Sequence, residues 1–274
     1  MSNITASEVN KLRKATGAGM MDCKNALVEA NGDFELAIEN LRKKGQKVAA
    51  KRADRDSSEG AVIAMVNDDQ TKGVIISLNC ETDFVAKNES FVDLAKSFCK
   101  IALNCSSLDE VLNSTYESIT VSEKLIEQTG VIGEKLEIGA FESVSSEHVG
   151  FYIHAGNKIA TLAGLSNKFE NVSDVSKNVA MQVAAMNPIA LNEDSVSKEI
   201  IEKEIEIAKE QLRAEGKPEA MLDNIAKGKL KKFFKDNTLV KQAYIKDNKS
   251  SVENYIQSEN NECVITDFKR VALV

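Results

Sequence analysis

The fold class is decided by residues 61–102, AVIAMVNDDQTKGVIISLNCETDFVAKNESFVDLAKSFCKIA, where the spacing of apolar side chains changes along the chain. Two runs rich in β-branched residues, 61–66 and 73–79, flank Asn-Asp-Asp-Gln at 67–70, which predicts a β-hairpin. Asn88 is placed to cap a helix, and apolar side chains then recur at helical spacing as far as Ala102. A hairpin followed by an amphipathic helix predicts an α+β unit.

The same order of elements occurs again after residue 148. The first unit is predicted to continue with a helix near 117–128 and a returning strand at 136–144. The second contains two strands around a short turn, a helix and, near the chain end, a short helix and a last strand. Their predicted ranges are 149–154, 158–165, 172–186, 251–258 and 263–272. We infer two related halves from this order, since the sequence identity between them is low.

Two helical parts complete the predicted fold. Before residue 51 the pattern indicates three short helices, the first capped by Thr5 and Glu8 in a capping box, followed by a charged linker at 51–60. Apolar residues at coiled-coil spacing over 195–214, then a turn and a second amphipathic run, predict a helical hairpin. The predicted fold class is α+β, with units at 1–54, 55–147 and 148–274 and the hairpin inserted at about 190–233.

Composition limits the function classes. The net charge of −7 does not favour general nucleic-acid binding, although seven basic side chains are concentrated between Arg42 and Arg55 and five lysines between Lys227 and Lys235. No signal peptide or membrane-crossing run is expected. Five cysteines, an odd number without Cys-x-x-Cys spacing, fit reduced thiols in a cytoplasmic protein.

No pattern in the sequence indicates catalysis, a bound metal or a cofactor. His148 and His154 have no neighbouring nucleophile motif, and we expect both to lie at the surface or at an interface. The segment 17–22, Gly-Ala-Gly-Met-Met-Asp, lacks the third glycine of a dinucleotide-binding motif and follows a predicted helix rather than a strand. These features favour a binding protein over an enzyme.

Two places carry apolar side chains where a partner would be needed. Met20 and Met21 follow the Gly-Ala-Gly turn, and we expect one to fill the small helical core and the other to form a contact surface. Phe84 lies between a predicted strand and a predicted helix, where the residues alone leave open whether it is displayed or buried. A second Thr-Asp-Phe triplet at 266–268 falls inside the last strand and is explained by strand alternation.

Two long segments resemble the signatures of the elongation factor Ts family. They are 16–24, Thr-Gly-Ala-Gly-Met-Met-Asp-Cys-Lys, and 80–87, Cys-Glu-Thr-Asp-Phe-Val-Ala-Lys. The resemblance implies a translation elongation factor that is not an enzyme. It would associate with GDP-bound elongation factor Tu and promote GDP release for exchange to GTP, passing through a nucleotide-free complex.

The resemblance also implies roles for single residues. The first helices would form a ubiquitin-associated-like domain that docks on the GTPase domain, and the 82–85 loop, with Phe84 exposed, would dislodge Mg²⁺ from the partner. The implied Mg²⁺-dislodging residues are Thr82, Asp83, Phe84 and Val85, and the other implied contacts are Arg13, Met20, Met21, Lys24, Ile132, Gly133 and His154. His154 carries the weaker correspondence, because the small residues of its turn stand in changed order.

Two other function classes stay open at this point. An RNA-associated or ribosome-associated adaptor would use the basic stretch 42–55 and the lysine-rich hairpin, but few aromatic residues are available for base stacking. An enzyme would need an activated nucleophile that the sequence does not indicate. No direct nucleic acid and no membrane are expected as partners, and the helical hairpin is a candidate surface for a homodimer, for a partner contact or for neither.

Overall fold

Three helices form a small unit at the start of the chain in the computed structural model, which describes residues 4–273. They are α1 (Ala6–Thr16), α2 (Met20–Glu29) and α3 (Phe34–Arg52). The predicted capping box is confirmed: the Thr5 hydroxyl accepts the Glu8 N–H, and the Glu8 carboxylate accepts the Thr5 N–H at 2.7 Å. The helices enclose an apolar core of Val9, Leu12, Ala18, Cys23, Ala26, Leu27, Ala30 and Ala37.

The third helix is longer than predicted. It has 19 residues and continues through most of the basic stretch to Arg52, so the connection to the first strand is confined to 53–58. The prediction of a short helix was wrong because charged side chains at helical spacing are compatible with an exposed helix face as well as with a linker.

The middle of the chain contains the first sheet. Its elements are β1 (Glu59–Val66), β2 (Lys72–Cys80), α4 (Asp83–Ala86), α5 (Glu89–Ala102), α6 (Leu108–Asn113), β3 (Thr115–Tyr116), β4 (Ile119–Thr120), α7 (Val121–Ile132) and β5 (Glu137–Ser145). The predicted hairpin is present, and the returning strand β5 pairs antiparallel with β2. The helix predicted near 117–128 begins at Val121, because Thr120 and Glu123 form a second capping box there.

The last part of the chain contains the second sheet. Its elements are β6 (His148–Ile153), β7 (Ile159–Leu165), α8 (Val172–Met186), a 3₁₀ turn (Glu193–Ser195), α9 (Lys198–Ala214), α10 (Glu219–Asn237), β8 (Ala243–Tyr244), β9 (Asp247–Ser251), α11 (Val252–Glu259) and β10 (Ile265–Ala272). The strand orders are β1-β2-β5 and β10-β7-β6, so in both sheets the returning strand lies beside the second strand of the hairpin. The helices α9 and α10 lie against each other and bury Ala208, Leu212, Leu222 and Ala226.

The two sheets stack face to face, and a helix covers the outer face of each. On β1, Ala61 and Ile63 belong to the apolar cluster that includes α5, whereas Val62 and Ala64 pack with Leu162 of the opposite sheet. The helix α8 covers the second sheet in the same way. Both faces of β1 are therefore buried, which explains why residues 61–66 form a continuous apolar run instead of alternating.

The three-helix unit docks on the first sheet's half through α3 and α7. These helices cross where Gly45 meets Gly130, and a Cβ added to Gly130 would lie 2.4 Å from the Gly45 Cα atom. A side chain at position 130 would overlap the backbone of α3, so this close crossing requires glycine there. Among residues 4–273, no helix combines the length and apolar character that crossing a membrane requires.

Candidate protein-binding site

The segment predicted as a loop between the first sheet and α5 contains a one-turn helix. Thr82 caps α4, its hydroxyl accepting the Val85 N–H at 3.4 Å. Ala86 is buried and Val85 packs partly against the core of the first sheet. Phe84 points the other way and is 84% exposed, the largest exposure among the large apolar side chains of the described chain.

Asp83 and Lys87 lie one helical turn apart beside Phe84. Lys87 Nζ donates to Asp83 Oδ2 at 2.5 Å. This hydrogen bond lowers the pKa of Asp83 and raises that of Lys87, so both groups are charged at neutral pH. Both side chains are largely exposed, and the pair therefore contributes little to folding stability. The corner thus presents an aromatic ring next to a fixed carboxylate.

Two glutamates brace this corner from behind. Glu134 Oε2 accepts the N–H groups of Thr82 and Glu81 at 3.0 and 3.1 Å, and Glu134 Oε1 accepts the Thr82 hydroxyl at 2.7 Å. Glu81 Oε1 accepts the Lys135 N–H at 2.7 Å and an Arg52 guanidinium nitrogen at the same distance. The Lys135 donor, followed by Arg52, holds the pKa of Glu81 below its usual value despite the opposing effect of burial.

Sequence reasoning did not identify these bracing residues. Glu134 and Thr82 are 52 residues apart, and no local pattern indicates that they meet. One signal was available at Gly133, which ends α7 in the left-handed conformation at φ 81 and directs the following residue back towards the sheet. Gly133 was predicted as a partner contact, and Ile132 beside it packs against the core of the first sheet.

Met20 and Met21 are both exposed, at 45% and 64%, so the expectation that one of them fills the helical core was wrong. Cys23, Ala26 and Leu27 of the same helix occupy that core instead. The turn before the methionines lies near the end of α7, where a Cβ added to Gly17 would be 3.9 Å from Val131 Cγ1. Arg13 and Lys24 are also exposed on this unit.

His154 is exposed in the turn between β6 and β7, where its Nδ1 atom lies 3.2 Å from the Tyr152 hydroxyl. Lys158 in the same turn is ion-paired with Glu59 at the start of β1. Glu59 also pairs across the sheet with Cys80, which precedes the Phe84 corner. The turn therefore lies at the same end of the molecule as the Phe84 corner.

His148 does not belong to this surface. It is 2% exposed, and its Nε2 atom lies 3.1 Å from the Ser176 hydroxyl, so the expectation of a surface or interface histidine was wrong for this residue. His148 begins β6 and His154 follows its end, so the two are about 20 Å apart along the strand. Among the described residues, no group of three or more His, Cys, Asp or Glu side chains is arranged to hold a metal ion.

The basic stretch 42–55 is partly neutralised within the chain. Arg52 pairs with Glu81, Lys43 with Glu39 and Lys44 with Asp22. Ion-paired side chains offer less charge to a phosphate backbone than free ones. This arrangement does not favour an RNA-associated adaptor.

The fold and the corner together define a mixed helix-and-sheet protein with a candidate protein-binding surface, because an exposed aromatic side chain on a braced corner suits an interface anchor. Comparison with known proteins is more specific. The family model described as elongation factor TS matches residues 81–273. Proteins named elongation factor Ts from Christiangramia forsetii and Flavobacterium psychrophilum are 67% and 63% identical over 273 residues, with 100% of each chain covered. One from Amoebophilus asiaticus is 50% identical, with 98% of each chain covered.

The chain belongs to the elongation factor Ts family. Membership gives it the role of a translation elongation factor and, by family, not that of a catalytic enzyme.

Proposed function

We propose that the chain is a guanine nucleotide exchange factor for elongation factor Tu. It associates with the GDP-bound partner and promotes GDP release, so that GTP can bind. The family membership and the exposure of Phe84 on a braced corner support this proposal. We place this activity in the cytoplasm, where translation takes place.

In the proposed mechanism the Phe84 corner disturbs the metal site of the partner. Mg²⁺ requires a near-octahedral set of oxygen ligands and bridges a GTPase to its nucleotide phosphates. Phe84 enters an apolar slot between helices of the partner, and Asp83 acts on the polar groups at the entrance of that slot. Thr82 and Val85 hold the turn from which both project. The chain itself makes and breaks no covalent bond and needs no cofactor, since the displaced metal is the partner's.

The remaining predicted contacts extend this interface. The three-helix, ubiquitin-associated-like unit docks on the GTPase domain, and Ile132, Gly133 and His154 provide further contacts. Neighbouring groups support one continuous surface. Gly17 lies beside Val131, and Glu134 holds Thr82. Glu59 pairs with Lys158 of the His154 turn and, across the sheet, with Cys80 before the corner. The docking residues of the three-helix unit are Arg13, Met20, Met21 and Lys24.

The proposed organisation is a three-helix domain at 1–54, core subdomains at 55–147 and 148–274, and a helical hairpin inserted at about 190–233. The hairpin is a proposed homodimer surface. Ile200, Ile207 and Met221 on its two helices are exposed and available for such a contact.

Stopped-flow release of fluorescent GDP from elongation factor Tu tests the proposal. Phe84→Ala is expected to slow the stimulated release at least about tenfold, the equivalent of about 1.4 kcal/mol in the barrier. Val264→Ala is the matched control. Val264 is 57% exposed and lies at the end of the second sheet opposite the His154 turn. Unchanged release by Phe84→Ala, together with normal complex formation, would refute the proposed mechanism.

A further inference from the structure

The corner that carries Phe84 has little stability of its own. The helix α4 has four residues, and one turn of helix closes too few hydrogen bonds to offset the entropy of ordering its backbone. Its Asp83–Lys87 pair is exposed and adds little. The orientation of Phe84 must therefore depend on groups outside α4.

Glu134 provides this outside support through its carboxylate. Both of its oxygens are used, one by the Thr82 and Glu81 N–H groups and the other by the Thr82 hydroxyl. A hydroxyl has one proton, and because this proton goes to Glu134, a lone pair of the Thr82 oxygen is left for the Val85 N–H. Glu134 thus fixes the rotamer of the residue that caps α4. Charged acceptors form stronger hydrogen bonds than neutral ones, which suits this bracing role.

The position of Glu134 is itself set by the backbone. Gly133 has φ 81, and a Cβ added there would meet nothing within 4 Å, so the requirement for glycine is conformational rather than steric. The neighbouring Lys135 N–H is held by Glu81, which also receives Arg52 at the end of α3. The brace therefore connects the corner to the three-helix unit.

We propose that Glu134 is a positioning residue for nucleotide exchange, holding the Thr82 cap so that Phe84 is presented in one orientation. This inference rests on the proposed exchange function. Glu134 acts through Phe84, and its effect on the rate depends on the aromatic ring being present.

A double-mutant cycle tests this dependence. Glu134→Ala is expected to slow stimulated GDP release at least about threefold in the full chain, but less than about 1.5-fold when Phe84 is already alanine. Glu134→Gln keeps one acceptor oxygen and is expected to restore part of the rate. Equal fold-changes in the two backgrounds would overturn the proposal, because Glu134 would then act independently of Phe84.

A matched control separates positioning from general stability. Glu110 also holds a helix start, accepting the Ser106 N–H at 2.7 Å and the Ser106 hydroxyl at 2.8 Å, but at α6. Glu110→Ala should leave GDP release unchanged while lowering thermal stability by a similar amount. If it slows release as Glu134→Ala does, the effect is one of stability and the proposal fails.

Hydrogen exchange provides a readout that does not depend on the partner. The Thr82 hydroxyl accepts the Val85 N–H, and the Thr82 carbonyl accepts the Ala86 N–H. In Glu134→Ala these two amides should exchange faster, while the amides of α5 stay protected. Unchanged protection of the α4 amides would overturn the bracing role even if Glu134→Ala no longer stimulates GDP release. If Phe84→Ala leaves stimulated GDP release unaffected but the α4 amides respond to Glu134→Ala, the mechanism through Phe84 is wrong, and with it the positioning role in exchange, while the bracing of α4 by Glu134 is correct.

Discussion

The two histidines show how far one residue type can differ within a single strand and its turn. His154 is exposed, whereas His148 is enclosed between β6 and α8 and contacts the Ser176 hydroxyl. Burial, and secondarily the positive charge of Lys168, lowers the pKa of His148 below its usual value of 6.5. The folded chain therefore favours the neutral ring.

The lowered pKa makes folding stability depend on pH. An unfolded chain binds the proton near pH 6.5, so the stability that the neutral His148 provides is complete above that pH and falls as the pH drops towards the lower folded value. The slope cannot exceed about 1.4 kcal/mol per pH unit for one proton. Urea unfolding between pH 7 and 5 should show this fall, His148→Gln should flatten it, and His154→Gln should not. A slope that His148→Gln leaves intact would assign the dependence to other groups.

Several site residues could be predicted from the sequence, while their environments could not. The residues alone left the exposure of Phe84 open, because a strand-to-helix connection permits either orientation. Both methionines of the pair are exposed because Cys23 and Ala26, one turn apart, already fill the inner face of α2. Glu134 was missed because its partners are distant in sequence, and hydrogen bonds of this kind leave no periodic pattern.

At the scale of elements, the crossing of α3 and α7 determines how the three-helix unit is held. Gly45 and Gly130 bring the two backbones into contact. Gly228 in the middle of α10 provides a natural comparison, since a Cβ there would meet nothing within 4 Å. Alanine substitution at Gly130 and at Gly228 should therefore change the free energy of unfolding in opposite directions.

Gly130→Ala is expected to lower the free energy of unfolding by about 1–3 kcal/mol, because the added methyl group must push α3 away from α7. Gly228→Ala is expected to stabilise α10 by about 0.5–1 kcal/mol, because alanine loses less backbone entropy in a helix. Denaturation followed by circular dichroism measures both. If both substitutions change the free energy of unfolding in the same direction, the close crossing does not limit the docking of the three-helix unit.

Periodic elements were the ones that the sequence predicted best. The helix at 172–186 was predicted with the bounds Val172–Met186 that the structure has, because its apolar spacing is regular and its length exceeds that of most strands. The short helices α4 and α6 and the β3–β4 hairpin were not predicted, since elements of two to six residues are too short to show a period. Their formation depends on caps and on contacts with the core.

At the scale of the whole molecule, the stacking of the two sheets was not predicted. Strand alternation predicts which face is buried only when one face is polar, and here both faces of β1 are apolar. The interface between the sheets is close at Gly73, where a Cβ would lie 2.7 Å from Leu162 Cδ2. Two sheets that share an apolar layer should lose their structure together. The three-helix unit is attached separately, through the contacts of α3 and of the Gly17 turn with α7.

The five buried cysteines report on these parts of the molecule separately. Cys23 lies in the three-helix unit and Cys263 in the second half, and burial raises the pKa of Cys80 and Cys99 in the first half to about 12. Buried thiols react with iodoacetamide only after local or global opening. In urea below the unfolding midpoint, we expect Cys23 to be alkylated at least about tenfold faster than the others, which should share one rate.

Peptide-resolved mass spectrometry measures these rates, and the docking contact provides the control. Gly130→Ala loosens the attachment of the three-helix unit, so it should accelerate alkylation of Cys23 further while leaving Cys263 nearly unchanged. Cys23 and Cys263 reacting at one common rate in the wild-type chain would mean that the α3–α7 crossing couples the unit to the core as firmly as the sheets are coupled to each other. Separate rates for Cys99 and Cys263 would instead contradict a single cooperative core built on the layer between the sheets.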